Sequence, residues 1–299
     1  MNRAGQAYRE NVAAPQRVAA IIPAHNVGRV IASTVRSCRA IPGVDLIIVI
    51  DDASTDDTVR AARYAGAAVV SHTVERGRAS AIETGVKVAA MRDHSDWPER
   101  LLLILSGDLG ESAVEATMLV ESVMSGMADC AIGTPPLGGD TPPEHSAAHN
   151  MARRMIRYLT GWESRSPLKQ ERCLTREAVN IAMPFEKGAG LEFALDVDVL
   201  HAGLSIVEMP CGFVHHEPDG TERDSRRSKN PLEVMLSIIK RCLTRRPLFA
   251  GTRAELSCEQ AVGTPYPQPA CMRDKETGVS VDHDLGDAED TNAPGAQAI

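Results

Sequence analysis

The strongest constraint on the fold is a pattern that repeats three times. The apolar runs RVAAIIPAHN (17–26), VDLIIVIDDAS (44–54) and LLLILSGDLG (101–110) each pass abruptly into polar or acidic residues. Between them lie stretches with a helical period. GRVIASTVRSCRAI places apolar residues at 30, 31, 34, 35, 38 and 41, and RASAIETGVKVAAM sets Ala79, Ile82, Val86 and Ala89 on one face. Fully apolar strands alternating with amphipathic helices predict an α/β domain whose mainly parallel sheet is covered on both faces. Ligands in such domains sit outside the carboxyl ends of the strands, and those ends here carry PAHN, DDAS and SGDLG. An Asp or Ser at one such position can merely cap the next helix. Three together point to a site.

The same reading places the remaining elements. The first strand is expected to break at Pro23. STDDTVRAARYAG reads as a helix with Ser54 and Asp57 as a capping box and Gly66 as its stop. AAVVSH is a short strand, and a helix follows the third apolar run from about Glu111 to Ser125. ADCAIG (128–133) is a strand, 146–160 a helix closed by Gly161, GAGLEFALDVDVLHAG a helix and LSIVEMP a strand. Asp196 and Asp198, two apart on a helix, do not share a face and make no metal pair.

Charge and composition divide the chain. Of the net −8, the segment Glu255–Ile299 carries −7, from nine acidic and two basic residues, so the body is nearly neutral. The expected organisation is a flexible arm (1–16), a main domain (17–228), a basic amphipathic helix (229–250) and an acidic disordered tail (251–299). Seven scattered cysteines without zinc spacing, and no signal peptide, suit a reducing cytoplasm. No run of about 18 apolar residues offers a bilayer span. A neutral body with 3% aromatics lacks the charge and stacking platforms that a nucleic-acid partner requires.

Taken in order, IIPAHNVGRVIASTVRSC, IIVIDDASTDDT, ERGRASAIETGV, ILSGDL, ADCAIG, SPLKQERCLTREAV and GAGLEFALDVDVLHAGLSIVEMP resemble the nucleotide-sugar glycosyltransferases of family 2. The likeness runs from residue 17 to about 228. It is greatest to the bacterial branch related to polyprenyl-phosphate sugar transferases and glucosyl-3-phosphoglycerate synthases. The resemblance implies a GT-A fold, a UDP- or GDP-sugar donor and a divalent cation, Mg²⁺ or Mn²⁺. Such a cation offsets the charge that builds on the leaving diphosphate. By position in the family pattern, Pro23, Ala24 and Asn26 line the nucleotide pocket, Asp51 and Asp52 hold base and ribose, and Arg78 lies by the nucleotide. Ser106, Gly107 and Asp108 occupy the place of an Asp-x-Asp motif, with Asp108 on the metal. His215 matches a histidine that completes the metal site in the phosphoglycerate-type relatives. Glu192 matches an acid near the transferred sugar, suited to positioning a hydroxyl or acting as a base.

Bland alternatives stand beside these roles. Asp51 and Asp52 can be capping residues, Arg76 and Arg78 a solvated helix start, Glu192 a first-turn acid that suits the helix dipole, and His215 and His216 ordinary loop residues. Two departures from the pattern also matter. Ser106 replaces a carboxylate, which lowers the charge offered to a metal. Lys169-Gln170-Glu171 replace small residues before Arg172, so acceptor identity does not carry over. The expected function is therefore sugar transfer to a polyprenyl phosphate or a small phosphorylated acid. The alternative is a catalytically degenerate nucleotide-sugar-binding protein.

The segment Arg223–Arg246 holds eight basic and two acidic residues, and PLEVMLSIIKRCLTRR sets Leu232, Met235, Leu236, Ile239 and Leu243 on one face. Two roles are open for 231–246: packing on the domain, which is the favoured reading, or lying peripherally on the inner face of an anionic membrane.

Overall fold

A computed structural model describes residues 16–136, 146–216, 231–244 and 263–267. A seven-stranded sheet forms its centre: β1 (Val18–Ala24), β2 (Val44–Asp52), β3 (Ala68–His72), β4 (Leu101–Ile104), β5 (Cys130–Thr134), β6 (Arg172–Leu174) and β7 (Ile206–Pro210). Their order is β3-β2-β1-β4-β6-β5-β7. Every pairing is parallel except those of β6, which runs antiparallel between β4 and β5.

Helices cover both faces, as the apolar runs require. Side chains alternate across each strand, so Ala19, Ile21, Leu102 and Ile104 pack into one core and Val18, Ala20, Ile22, Leu101 and Leu103 into the other. The second core is closed by α1 (Ile31–Arg39), α2 (Thr58–Tyr64), a 3-10 helix (Gly110–Ala116) and α4 (Thr117–Met124). The first is closed by α3 (Arg78–Ala90), α5 (Ala147–Thr160), α6 (Arg176–Ala182), α7 (Leu191–His201) and α8 (Pro231–Thr244). Ala79, Ile82, Val86 and Ala89 on α3 are all buried, the face its spacing predicts. Gly161 ends α5 in the left-handed region, at φ 82°.

Several local expectations are corrected. β1 does not break at Pro23: it continues to Ala24, with Pro23 in register with Ile50. Ile21 points its carbonyl at Leu105, beyond the last paired residue of β4. The missing N–H of Pro23 falls two residues further on the same side, where β4 has ended and no ladder bond is lost. The Ser54–Asp57 capping box does not form: Ser54 Oγ accepts from Asn26 N at 2.9 Å, and Asp56 serves the start of α2 through Thr58 N at 3.0 Å. The helix expected over 111–125 begins as a 3-10 turn and becomes α-helical only at Thr117.

The last helix packs on the domain, but by an unexpected side. Val234, Ser237 and Ile238 of α8 are buried, while Leu232, Leu236, Ile239 and Leu243 are exposed. Arg241 explains the rotation. It reaches Asp198 at 2.8 Å and Glu186 at 3.6 Å, and Lys240 pairs with Glu186 at 2.6 Å. Of the expected arm only Gln16 is described; its Nε2 donates to Glu99 O at 2.7 Å. Of the expected tail only 263–267 are described; Tyr266 bridges Ile206 of β7, is buried, and donates its hydroxyl to Thr160 O at 2.8 Å.

Candidate active site

After β3 the chain crosses back past β1 to lay down β4, so the strand order reverses between β1 and β4. A crevice opens outside the carboxyl ends of the strands at such a reversal. The turn after β4 is clamped there by α1: Thr34 Oγ1 donates to Gly107 O and accepts from Gly110 N, both at 2.9 Å. Gly107 is packed so closely that an added Cβ would lie 3.2 Å from Val27 and 3.4 Å from Pro23 O. Asp108 follows, buried. The loop after β7 comes back over it. His216 donates to Asp108 O from its backbone N at 3.0 Å and from Nδ1 at 3.1 Å. His215 Nδ1 lies 3.0 Å from Asp108 Oδ1. Ser112 pins the same loop by accepting from Val214 N at 2.9 Å. Residues 107 apart in the chain are thus brought together, and His215 and His216 are not idle loop residues.

Arg78 and Glu192 form a second centre. Arg78 Nη1 donates to Glu192 Oε1 at 2.7 Å and Nη2 to Gln170 O at 3.0 Å. Burial pulls the Arg78 pKa down, against the opposing charges of Glu192 and Glu171. Arg78 is therefore no solvated helix start. With Ile104, Gln170, Phe185 and Leu195 the pair lines a small pocket.

Asp51 and Asp52 are separated by the pleat, since successive side chains face opposite sides of a sheet. Asp51 Oδ1 accepts from Ser54 N at 3.1 Å and shapes the β2–α2 turn. Asp52 accepts from Arg76 N at 2.9 Å, from Gly77 N at 2.7 Å and from His72 Nδ1 at 2.8 Å. Burial pushes the Asp52 carboxyl up, but these donors outweigh it and hold it below the usual carboxylate range. Both aspartates thus hold turns around the crevice. Asn26, at φ 51°, is also tied in: Oδ1 accepts from Thr55 N at 2.8 Å, and Nδ2 donates to His25 Nε2 at 2.9 Å. His25 Nδ1 donates to Asp52 O at 2.7 Å, which fixes that tautomer. Ala24 is buried, and Pro23 and Ser106 are half-buried.

Three participants were not singled out as site residues from the sequence: His25, His72 and Glu171. Glu171 looks in the sequence like a bulky intruder. Folded, it is only 2% exposed, its Oε1 has no hydrogen-bond partner, and that oxygen lies 3.9 Å from His215 Nε2. Its neighbour Arg172 is buried and donates to Asp196 Oδ1 at 2.8 Å. Asp198 turns instead to Arg241. Cys38 and Cys130 are buried thiols pushed up to about 12 by burial, which suits packing and not nucleophilic chemistry.

Among the described residues no group of three His, Cys, Asp or Glu side chains is arranged to hold a metal. Asp108 Oδ1 and His215 Nδ1 stand 3.0 Å apart, two donor atoms able to serve one cation, and the buried Glu171 Oε1, 3.9 Å from His215 Nε2, has no hydrogen-bond partner. Mg²⁺-type cations are commonly held by one or two protein groups, with the remainder from phosphate oxygens and water. The residues therefore fit a cation that arrives with a diphosphate.

Residues 19–196 match the family described as Glycosyl transferase family 2, more than half of the chain. Among curated proteins, the chain is 26% identical over 238 residues to glycosyltransferase AglJ of Haloferax volcanii, covering 79% of this chain and 75% of that protein. It is 25% identical over 206 residues to the uncharacterised protein MJ1222 of Methanocaldococcus jannaschii, covering 66% and 81%. Among solved structures it resembles glucosyl-3-phosphoglycerate synthase of Mycobacterium tuberculosis bound to Mn²⁺, UDP and glucosyl-3-phosphoglycerate. There the TM-score is 0.58 at 22% identity, covering 76% of this chain and 80% of that one. A form of the same enzyme with Mg²⁺ and UDP gives 0.57 at 22% identity, covering 81% and 84%.

Proposed function

From the premise that the chain belongs to glycosyl transferase family 2 and has the GT-A fold, we propose that it moves a sugar from a nucleoside-diphosphate sugar to an acceptor in the crevice between β1 and β4. Asp108 and His215 would hold a divalent cation there, Mg²⁺ or Mn²⁺; an imidazole ligand suits Mn²⁺ better. The observation that carries this reading is the meeting of Asp108 and His215 Nδ1 at 3.0 Å, at the strand-order reversal. When bound, the cation would neutralise charge on the departing diphosphate.

The chain's own groups would do the rest. Arg78 opens α3, and a phosphate oxygen can compete with Glu192 for its guanidinium. Glu192 can then accept a hydrogen bond from a sugar or acceptor hydroxyl and orient it. Asp52 keeps the loop bearing Arg78 in place through Arg76 N and Gly77 N. Asp51, Asn26, Pro23, Ala24, Ser106 and Gly107 form the floor on which a nucleoside would rest.

For the acceptor, a small phosphorylated molecule is the preferred reading, since the glucosyl-3-phosphoglycerate synthase complexes hold phosphoglyceric acid. A lipid phosphate at a membrane is supported only by the exposed Leu232, Leu236, Ile239 and Leu243 of α8. Among the described residues no helix is long and apolar enough to cross a membrane. A cytoplasmic location is proposed on the cysteine usage alone.

A second reading, a nucleotide-sugar-binding protein without turnover, is favoured by Ser106 and by the closed Arg78–Glu192 pair. Thermal unfolding with UDP- and GDP-sugars, with and without Mn²⁺, tests the site. A metal-dependent shift is expected in the native chain and lost in Asp108→Ala; equal shifts in both would remove Asp108 from the cation. Release of UDP or GDP on addition of acceptor separates transferase from binding protein.

A further inference from the structure

We infer that Glu171 is the positioning residue for His215, the acceptor that fixes its ring for metal binding. The inference rests on the reading of Asp108 and His215 as ligands. In the present state His215 Nδ1 faces Asp108 Oδ1 at 3.0 Å, and Nε2 faces Glu171 Oε1 at 3.9 Å, too far for a hydrogen bond. A nitrogen that ligates a cation must offer a lone pair, so a neutral ring ligating through Nδ1 carries its proton on Nε2. That proton then needs an acceptor, and ligating histidines usually find one in a carboxylate or carbonyl.

Glu171 Oε1 is placed to be that acceptor and is otherwise unexplained. It is buried without a hydrogen-bond partner, which is costly for a carboxylate oxygen. The two guanidiniums nearby donate to other groups: Arg78 to Glu192 and Gln170 O, Arg172 to Asp196 and Lys169 O. The main chain at Glu171 is fixed, because its carbonyl O accepts from Gly133 N at 3.0 Å, one residue before β6. The His215 side chain is about one-third exposed against 2% for Glu171, so closing the gap takes a turn of the ring within its pinned loop. The charge that Ser106 does not supply would thus be supplied from behind the histidine.

The test is Mn²⁺ binding to the full chain with UDP present, by calorimetry and by the electron-paramagnetic signal of free Mn²⁺. The variants are Glu171→Gln, His215→Ala and the double substitution. Glu171→Gln is expected to weaken Mn²⁺ binding about tenfold, the lower end for an outer partner of a ligating histidine. In the His215→Ala background the same change should have less than a twofold effect, because there is no ring left to hold. Unfolding without metal is measured alongside, so that a stability defect is read separately from the metal-dependent increment. Unchanged Mn²⁺ binding in Glu171→Gln overturns the inference and leaves the site reading intact. A tenfold loss that persists without His215 also overturns it, since Glu171 would then act on the cation directly. A native chain that binds no Mn²⁺ with UDP defeats the site reading and this inference together.

Discussion

Replacing Asp52 by Asn distinguishes an architectural carboxylate from a nucleoside ligand. Asp52 is 6% exposed and accepts three hydrogen bonds, from His72 Nδ1, Arg76 N and Gly77 N. Asparagine keeps one oxygen, which can still serve His72 and Arg76. Its amide then points N–H groups at Gly77 N–H, donor against donor. One charge-assisted bond is lost, at about 1.5–3 kcal/mol, and the others weaken because the acceptor is now neutral. A total near 3 kcal/mol is expected at pH 7, on the order of the larger single-residue effects. The pH dependence follows from the lowered carboxyl pKa. A group whose native pKa lies below its unfolded value, about 3.9 for Asp, contributes stability that is complete above that value and disappears as pH falls through the native one. The gap between native chain and Asp52→Asn should therefore be full at pH 7 and 5 and shrink below about pH 4. Urea unfolding at pH 7, 5 and 3.5 measures it. A gap under about 1 kcal/mol at pH 7, or one that widens on acidification, would refute the capping argument.

Three further outcomes are expected. Arg78→Ala removes the guanidinium that donates to buried Glu192 at 2.7 Å, with Arg172 as a remaining nearby positive charge, and should cost about 3 kcal/mol; adding Glu192→Gln should recover part of this in urea unfolding, and no recovery would mean the two are not coupled. Gly85→Ala should destabilise although Ala is the better helix former: the new Cβ would clash with Ile21 Cγ2, and overpacking at about 1–3 kcal/mol exceeds the roughly 1 kcal/mol propensity gain. Removing that Cγ2 neighbour with Ile21→Ala should restore tolerance to Gly85→Ala, read as a smaller loss on the double background than on the native one. Ser106→Asp should strengthen Mn²⁺ binding in the presence of UDP, read by calorimetry, and an unchanged affinity would place residue 106 away from the cation.

Much of the fold was legible because the strands are buried on both faces and the helices on one. Continuous apolar runs at 18–22 and 101–105, and the 3.6-residue spacing in α1 and α3, carry that directly. The sequence misleads where one residue has two plausible partners. Ser54 has a capping-box neighbour three residues on, yet binds Asn26 across two strands. On α8 the strongest apolar stripe faces outward, because Arg241 finds Asp198 and Glu186 and turns Val234 and Ile238 inward. No periodicity reports such a distant ion pair.

The site divides in the same way. Asp108 stands out at the end of an apolar run, and its meeting with His215 follows a motif resemblance that the fold supports. Asp51 and Asp52 read alike in sequence, but the pleat sends them to opposite faces and to different turns. Glu171 was invisible as a contact because its place depends on β6, three residues long and reversed in direction, with no alternation long enough to read.

That short reversed strand also sets a timetable for biosynthesis. While the chain emerges from the ribosome, β1 to β4 can assemble in order, but the flank of Leu101–Ile104 waits for Arg172–Leu174, roughly 70 residues later. At about 5–20 residues per second a greasy, open sheet margin is on display for several seconds. Slowed translation between those points should lengthen that window and raise the share of newly made protein lost to aggregation.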